Sequence, residues 1–224
     1  VEKKLKNDRL HRAYFVEMRA ETGEENNHII SGYAAVYDAP ADIYGYYEER
    51  IARGAFDGCS FKDVILCINH ETEKIPLARS RQNNANSTLQ LKVDERGLFI
   101  RADLDIERNA EAAALYSAVE RGDMGGMSFI FKVADEKWED VDSDKPKRTI
   151  TKIKEVYEVT AATFPFYEAT NLDARAMSSL ERERTTLESV RNLEKSPGGD
   201  SGALERAQQE KVKAKYKTRA KLGI

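Results

Sequence analysis

At 224 residues, 33% charged and 41% hydrophobic, the chain has room for one domain with a full core plus appendages, and not for two large ones. No apolar run reaches the roughly 18 to 20 residues of a spanning helix, and the start, VEKKLKNDRLHR, lacks the apolar stretch of a secretory signal, so the expectation is a protein that works in a cytoplasm with no membrane partner. The net charge of −3 is uneven, with 11 Lys/Arg against 7 Asp/Glu in residues 176–224 and 25 against 32 in residues 1–175; an acidic body argues against nucleic acid in the core, and the basic tail could dock on an acidic partner.

In chain order, residues 13 to 167 read mostly as short strands. His28 to Tyr37 (HIISGYAAVY) is apolar and β-prone, with Gly32 inside it as a bulge or a close backbone approach. Asp63 to Asn69 (DVILCIN) is a nearly continuous apolar run that suits a buried strand. Leu89, Leu91 and Val93 alternate with polar residues, the turn Asp94-Glu95-Arg96-Gly97 follows, and Leu98, Ile100, Ala102 and Leu104 resume the alternation, which predicts a β-hairpin.

One helix interrupts the strands: Asn109 can cap it, Ala112, Leu115, Tyr116 and Val119 recur at helical spacing, and Gly122 closes it. After the loop Asp123-Met124-Gly125-Gly126, a strand puts Met127, Phe129, Phe131 and Val133 on one face and Ser128, Ile130 and Lys132 on the other. A charged turn near Asp142 to Lys147 leads to a further strand, Thr149 to Thr163. Residues 173–194 are helix-prone, with Met177, Leu180, Leu187 and Val190 on one stripe. Residues 195–202 (KSPGGDSG) are a linker by composition, and a polar helix-prone stretch, Ala203 to Leu222, ends the chain. Strands around one strong helix predict a β-barrel or sandwich with helices packed outside.

Chemistry is narrowed by scarcity. The cysteines, Cys59 and Cys67, are too few for a disulfide framework and lack metal-site spacing, so they read as buried or half-buried thiols. Of the three histidines, His11 sits in a charged terminus, His28 begins a strand, and His70 follows a buried-looking strand and precedes a polar turn, where a scaffold hands a side chain to solvent. No Ser-Lys signature, glycine-flanked nucleophile elbow, HExxH or Walker loop occurs, and His70-Glu71-Thr72-Glu73 has no second histidine nearby, so neither a metal nor a cofactor is expected. Ser128 follows two glycines and sits on a strand, a rigid support for a nucleophile. Taken singly, Ser128 reads first as a plain strand serine after a glycine turn and His70 as a structural or exposed histidine, since no sequence displays the distance between them.

Five segments in order reverse that balance: Gly-Tyr-Ala-Ala-Val-Tyr at 32–37, Glu-Arg-Ile-Ala-Arg-Gly-Ala-Phe at 49–56, Asn-His-Glu at 69–71, Gly-Met-Ser-Phe at 126–129 and Glu-Val-Thr-Ala-Ala-Thr-Phe-Pro at 158–165. Together they resemble the tailed-phage prohead serine proteases, which are similar to the herpesvirus assembly protease, assemblin. The resemblance implies a mainly β fold with flanking helices: a closed, assemblin-like barrel over residues 1–172, then a helical, charged tail over 173–224. It implies Ser128 as nucleophile and His70 as its base.

In the herpesvirus relatives the third member is a histidine lying after the serine; no histidine follows Ser128 here, so a carboxylate must substitute. Glu158 is preferred, as part of the resembling segment, with Glu155 the alternative; being three apart on a strand, the two are expected on opposite faces. The analogy places the oxyanion hole at the backbone of Phe166 and Tyr167. The implied function is prohead maturation: an endopeptidase that cleaves the scaffold-like segment of the major capsid protein, then itself, inside the immature prohead, with self-association open. The rival is a non-enzymatic scaffold or assembly-docking protein of the capsid.

Overall fold

The computed structural model describes residues 10–14, 18–23, 27–163 and 174–194. The chain divides into two compact units, Val1–Arg175 and Ala176–Ile224. The described strands and the helix Ala110–Glu120 belong to the first, whereas helix α2 (Ala174–Glu194) supplies the described part of the second. Among the described residues no helix is long and apolar enough to cross a membrane.

Two sheets make up the first unit. In the larger, β1 (Leu10–Tyr14), β10 (Gly126–Glu139), β11 (Lys147–Ala162), β5 (Tyr47–Ile51) and β4 (Ala41–Ile43) follow one another, and β6 (Asp63–Ile68) and β7 (Ala78–Arg81) extend it from β11. In the smaller the order is β2 (Arg19–Thr22), β3 (His28–Val36), β9 (Gly97–Leu104) and β8 (Leu89–Val93). The apolar inner faces meet in one core, to which Ile30, Leu98 and Ile100 contribute from the smaller sheet and Leu66, Phe129, Phe131 and Val159 from the larger.

The hairpin and helix expected from the sequence are present. Asp94 caps the β8–β9 turn by accepting hydrogen bonds from the N–H groups of Arg96 (2.8 Å) and Gly97 (3.1 Å). Helix α1 (Ala110–Glu120) starts at Asn109, whose side chain accepts from Glu111 and Ala112. It ends in a Schellman motif: Gly122, at φ 78°, donates to Val119 O at 3.0 Å and Asp123 donates to Ala118 O at 2.8 Å. The irregularity in β3 falls at Ala34, between Tyr33 and Ala35, rather than at Gly32.

The expected mainly β architecture is present, but among the described residues the ladders give two sheets that do not close on each other as a barrel. Where the sheets approach, the β7 edge is met by side chains instead of a strand. Arg79 N–H donates to Thr88 Oγ1 (3.0 Å) and Arg81 N–H to Ser87 Oγ (3.2 Å), hydroxyls just before β8. Those two bonds use the donors that a closing ladder would need.

Strand β11 organises the larger sheet. One edge pairs antiparallel with β10; the other pairs parallel with β5 over its first residues and with β6 over its last. Its apolar residues Ile150, Ile153, Val156 and Val159 recur every third position, a spacing that a regular strand would send to alternating faces. All four are nonetheless fully buried in the core. Four register shifts along the β10–β11 ladder explain this, because each bulge inserts an extra residue and resets which face follows.

Near the start of β11, Arg148 is wholly buried and forked between two carboxylates: Nη1 donates to Glu49 Oε2 at 2.7 Å, and Nε to Glu136 Oε2 at 3.0 Å. The guanidinium carbon lies 5.8 Å from the Trp138 ring centroid. Glu49 is fully buried as well, so removing the cation strands a carboxylate in low dielectric. Arg148→Met is expected to lower the urea midpoint at unchanged m, a loss of about 3–5 kcal/mol. A midpoint within error of wild type would show that this cluster does not hold β5 to the hairpin.

Candidate active site

The sheet lines up three strands at one level. Ser128 of β10 stands opposite Thr160 of β11, which stands opposite Cys67 of β6. Neighbouring strands are about 4.8 Å apart, so β6 lies two strands from the serine. The ladder of β6 ends at Ile68, and Asn69 and His70 follow with φ of 47° and 57°. Left-handed backbone costs an L-residue about 1–2 kcal/mol, least for residues such as Asn and His. These two steps turn the chain back over the sheet, and Glu71 N–H closes the turn on Ile68 O at 3.0 Å.

The His70 ring thereby bridges β11 and β10. Its Nδ1 lies 2.9 Å from Glu158 Oε2 and its Nε2 lies 2.7 Å from Ser128 Oγ. A carboxylate only accepts, so Nδ1 carries the proton, Nε2 presents its lone pair, and the Ser128 hydroxyl donates to it. Ser128 and Glu158 are each 1% exposed, and the His70 side chain 11%. Both faces of β10 are buried from Gly126 to Phe131. Beyond His70, the loop is tied to the first turn of α1 by Lys74, which contacts Glu71 (2.7 Å) and Glu111 (3.1 Å).

Glu155 is placed otherwise than its spacing implies. Ile130 pairs with Glu158, Phe131 with Val156 and Lys132 with Glu155, so the bulge at Tyr157 puts Glu155 and Glu158 on the same face. They are separated by two rungs instead of by the sheet. The half-buried Glu155 forms a parallel bridge with Ser60, while Glu158 is the carboxylate at hydrogen-bonding distance from His70.

His11 belongs to β1, opposite Ile130, and not to a loose terminus. His28 packs edge-on against Tyr116, ring centroids 5.0 Å apart. Phe166 and Tyr167 lie outside the described residues, as does the linker 195–202. Among the described residues no three His, Cys, Asp or Glu cluster as metal ligands would. Spacing gave no sign of Thr160 and Asn69, which hold the His70 turn; the only trace was their place inside the resembling segments.

Cys67 lies in line with this site, and burial, then the Glu158 and Glu71 carboxylates, push its thiol up to about 12. Burial first, with Glu155 adding, pushes Cys59 up to about 12 too. At neutral pH both remain thiols and are poor nucleophiles. Iodoacetamide at pH 7.5 is expected to leave Cys67 unmodified in the folded protein and alkylate it in urea, read by intact mass. Because the native state keeps protons that the unfolded chain releases above about 9, these thiols favour folding fully below that pH and progressively less up to about 12. A urea midpoint that rises between pH 8.5 and 10.5 would contradict this linkage.

No solved structure matches the chain. Its sequence is 28% identical over 179 residues to the prohead protease of Enterobacteria phage HK97, across 77% of this chain and 68% of that protein. A profile described as caudovirus prohead serine protease matches residues 15–184, more than half of the chain and a span that contains all five resembling segments. On that match, the chain belongs to the caudovirus prohead serine protease family.

Proposed function

We propose that this prohead serine protease cuts peptide bonds with Ser128 as nucleophile, His70 as general base and then acid, and Glu158 as the group that fixes the imidazole. The observation that carries the reading is the unbroken pair of contacts Ser128 Oγ–His70 Nε2 (2.7 Å) and His70 Nδ1–Glu158 Oε2 (2.9 Å). As Ser128 Oγ bonds to the scissile carbonyl carbon, its proton passes to Nε2; the resulting imidazolium is stabilised by Glu158 and gives that proton to the leaving amine. Water, deprotonated by the same nitrogen, then hydrolyses the acyl-enzyme. The oxyanion donors are assigned to the backbone N–H groups of Phe166 and Tyr167, on the resemblance alone.

The substrates proposed are the scaffold-like segment of the capsid protein and the protease itself, with the work done inside the immature prohead in the host cytoplasm. Residues 1–172 are proposed as the catalytic domain and 173–224 as a tail for docking or self-cleavage. The relation to the assemblin barrel belongs to the same proposal, on the resemblance alone.

Ser128→Ala is expected to abolish capsid-protein cleavage while the variant still co-assembles, and His70→Ala to fail equally, with no further loss in the double variant. Glu158→Gln should slow cleavage by about 10²- to 10⁴-fold, because the amide supports the wrong tautomer and cannot stabilise the imidazolium. Glu155→Gln, two rungs away, should be nearly silent. Undiminished processing in a Ser128→Ala prohead, followed by gel analysis of the capsid protein, would overturn the enzymatic assignment of this site and favour the assembly-docking role.

A further inference from the structure

We infer that Asn69 and Thr160 are positioning residues, a clasp that holds the backbone of His70 in its left-handed turn and so aims the imidazole at Ser128. The inference rests on His70 being the base. What must be explained is how two consecutive non-glycine residues, at φ 47° and 57°, stay at a geometry that an L-residue avoids. Such conformations persist where the surroundings over-determine them.

Here they are fixed on every side. The Asn69 N–H makes a last rung with Ala161 O at 3.0 Å. Its side chain then takes the place of the next rung: Oδ1 accepts the Thr163 N–H at 3.0 Å, and Nδ2 donates to Thr163 Oγ1 at 3.2 Å. The side chain thus extends the β6–β11 pairing by one step while the main chain departs from it. The next N–H, that of His70, donates to Thr160 Oγ1 at 3.1 Å, and the His70 C=O accepts from Thr72 N–H at 2.8 Å. Thr160 is fully buried, and its branched Cβ restricts χ1, so its hydroxyl is a fixed point. Its register places that point between the serine strand and the histidine strand.

A purely structural role for these bonds predicts lost stability and no more. A positioning role predicts a slower serine in a protein that is still folded, and recovery when only the hydroxyl is returned. The probe is an alkyl fluorophosphonate, which reads the activated serine without knowledge of the cleavage site; its second-order labelling rate on the full chain is followed by intact mass, with thermal melting alongside.

Thr160→Val, similar in shape but without the hydroxyl, should label about 10- to 100-fold more slowly than wild type, the scale that misplacement of a reacting group by about an ångström produces. Thr160→Ser should recover most of that rate. Asn69→Gly, which tolerates positive φ but deletes the amide, should be slow, and Asn69→Asp, which keeps the acceptor for Thr163 N–H, should be faster than Asn69→Gly; this pair decides the matter should Thr160→Val not fold. Folded Thr160→Val labelling at the wild-type rate, or Thr160→Ser as slow as Thr160→Val, would overturn the inference. Ser128→Ala separates the two levels: equal labelling of that variant removes the triad reading itself, whereas an unlabelled Ser128→Ala beside a fully reactive Thr160→Val removes only the clasp.

Discussion

The register of β11 between β10 and β6 is the constraint on which the rest of the site depends. Ser128, Thr160 and Cys67 share one line across the sheet only because Ser128 pairs with Thr160 and Thr160 with Cys67. Main-chain rungs alone would tolerate a slip by one residue. The other face of the same strands does not, since Met127, Phe129, Phe131, Leu66, Val159 and Ala161 all lie in the core. A one-residue slip of β11 would drive Glu158 into that core and turn Val159 toward the site, exchanging apolar burial for a desolvated carboxylate. The hydrophobic face thus fixes the polar one.

Burial then gives the polar face its character. With Ser128 and Glu158 each 1% exposed, their hydrogen bonds to His70 act in a medium of lower effective dielectric than water. In the mechanism proposed, a negative carboxylate there would stabilise a transient imidazolium more strongly than it could at the surface. The geometry also divides the labour among elements. Two strands carry the proposed nucleophile, Ser128, and Glu158, whereas the proposed base, His70, arrives on a turn whose own backbone is bonded to Thr160 and Thr72.

How much of this was legible in the sequence depended on whether a feature was local. The β8–β9 hairpin, α1 with its Asn109 cap and Gly122 close, and the apolar runs of β3, β6 and β10 all carry their signals within a few residues. Strand β5 (YEERI) carried none: its charged Glu49 is buried only because Arg148, some hundred positions later, lies beside it. Strand β11 has apolar residues at every third position, which fits a strand only once the bulges are known. The same bulges undid the parity argument that set Glu155 and Glu158 on opposite faces. Ser128, His70 and Glu158 were singled out by the five resembling segments, since neither spacing nor composition contains the distances that join them. Barrel closure was carried over from distant relatives, and among the described residues the β7 edge is met by the hydroxyls of Ser87 and Thr88.

The β10–β11 hairpin buries two polar clusters, one toward each end, and comparing them shows why only one lends itself to catalysis. At the turn end, Arg148 is held by Glu49 and Glu136. A guanidinium keeps its proton at any pH the fold survives and its five donors are all hydrogen-bond sites, so the cluster can bind strands together but cannot exchange a proton with a reactant. At the other end the central group is an imidazole between a carboxylate and a hydroxyl. One ring nitrogen holds a proton while the other can accept one, so the same two-sided geometry becomes a path for proton transfer. The two clusters share burial, carboxylates and a bridging nitrogen base. What separates a fastener from an acid–base site is whether the bridging group offers a lone pair that can receive a proton.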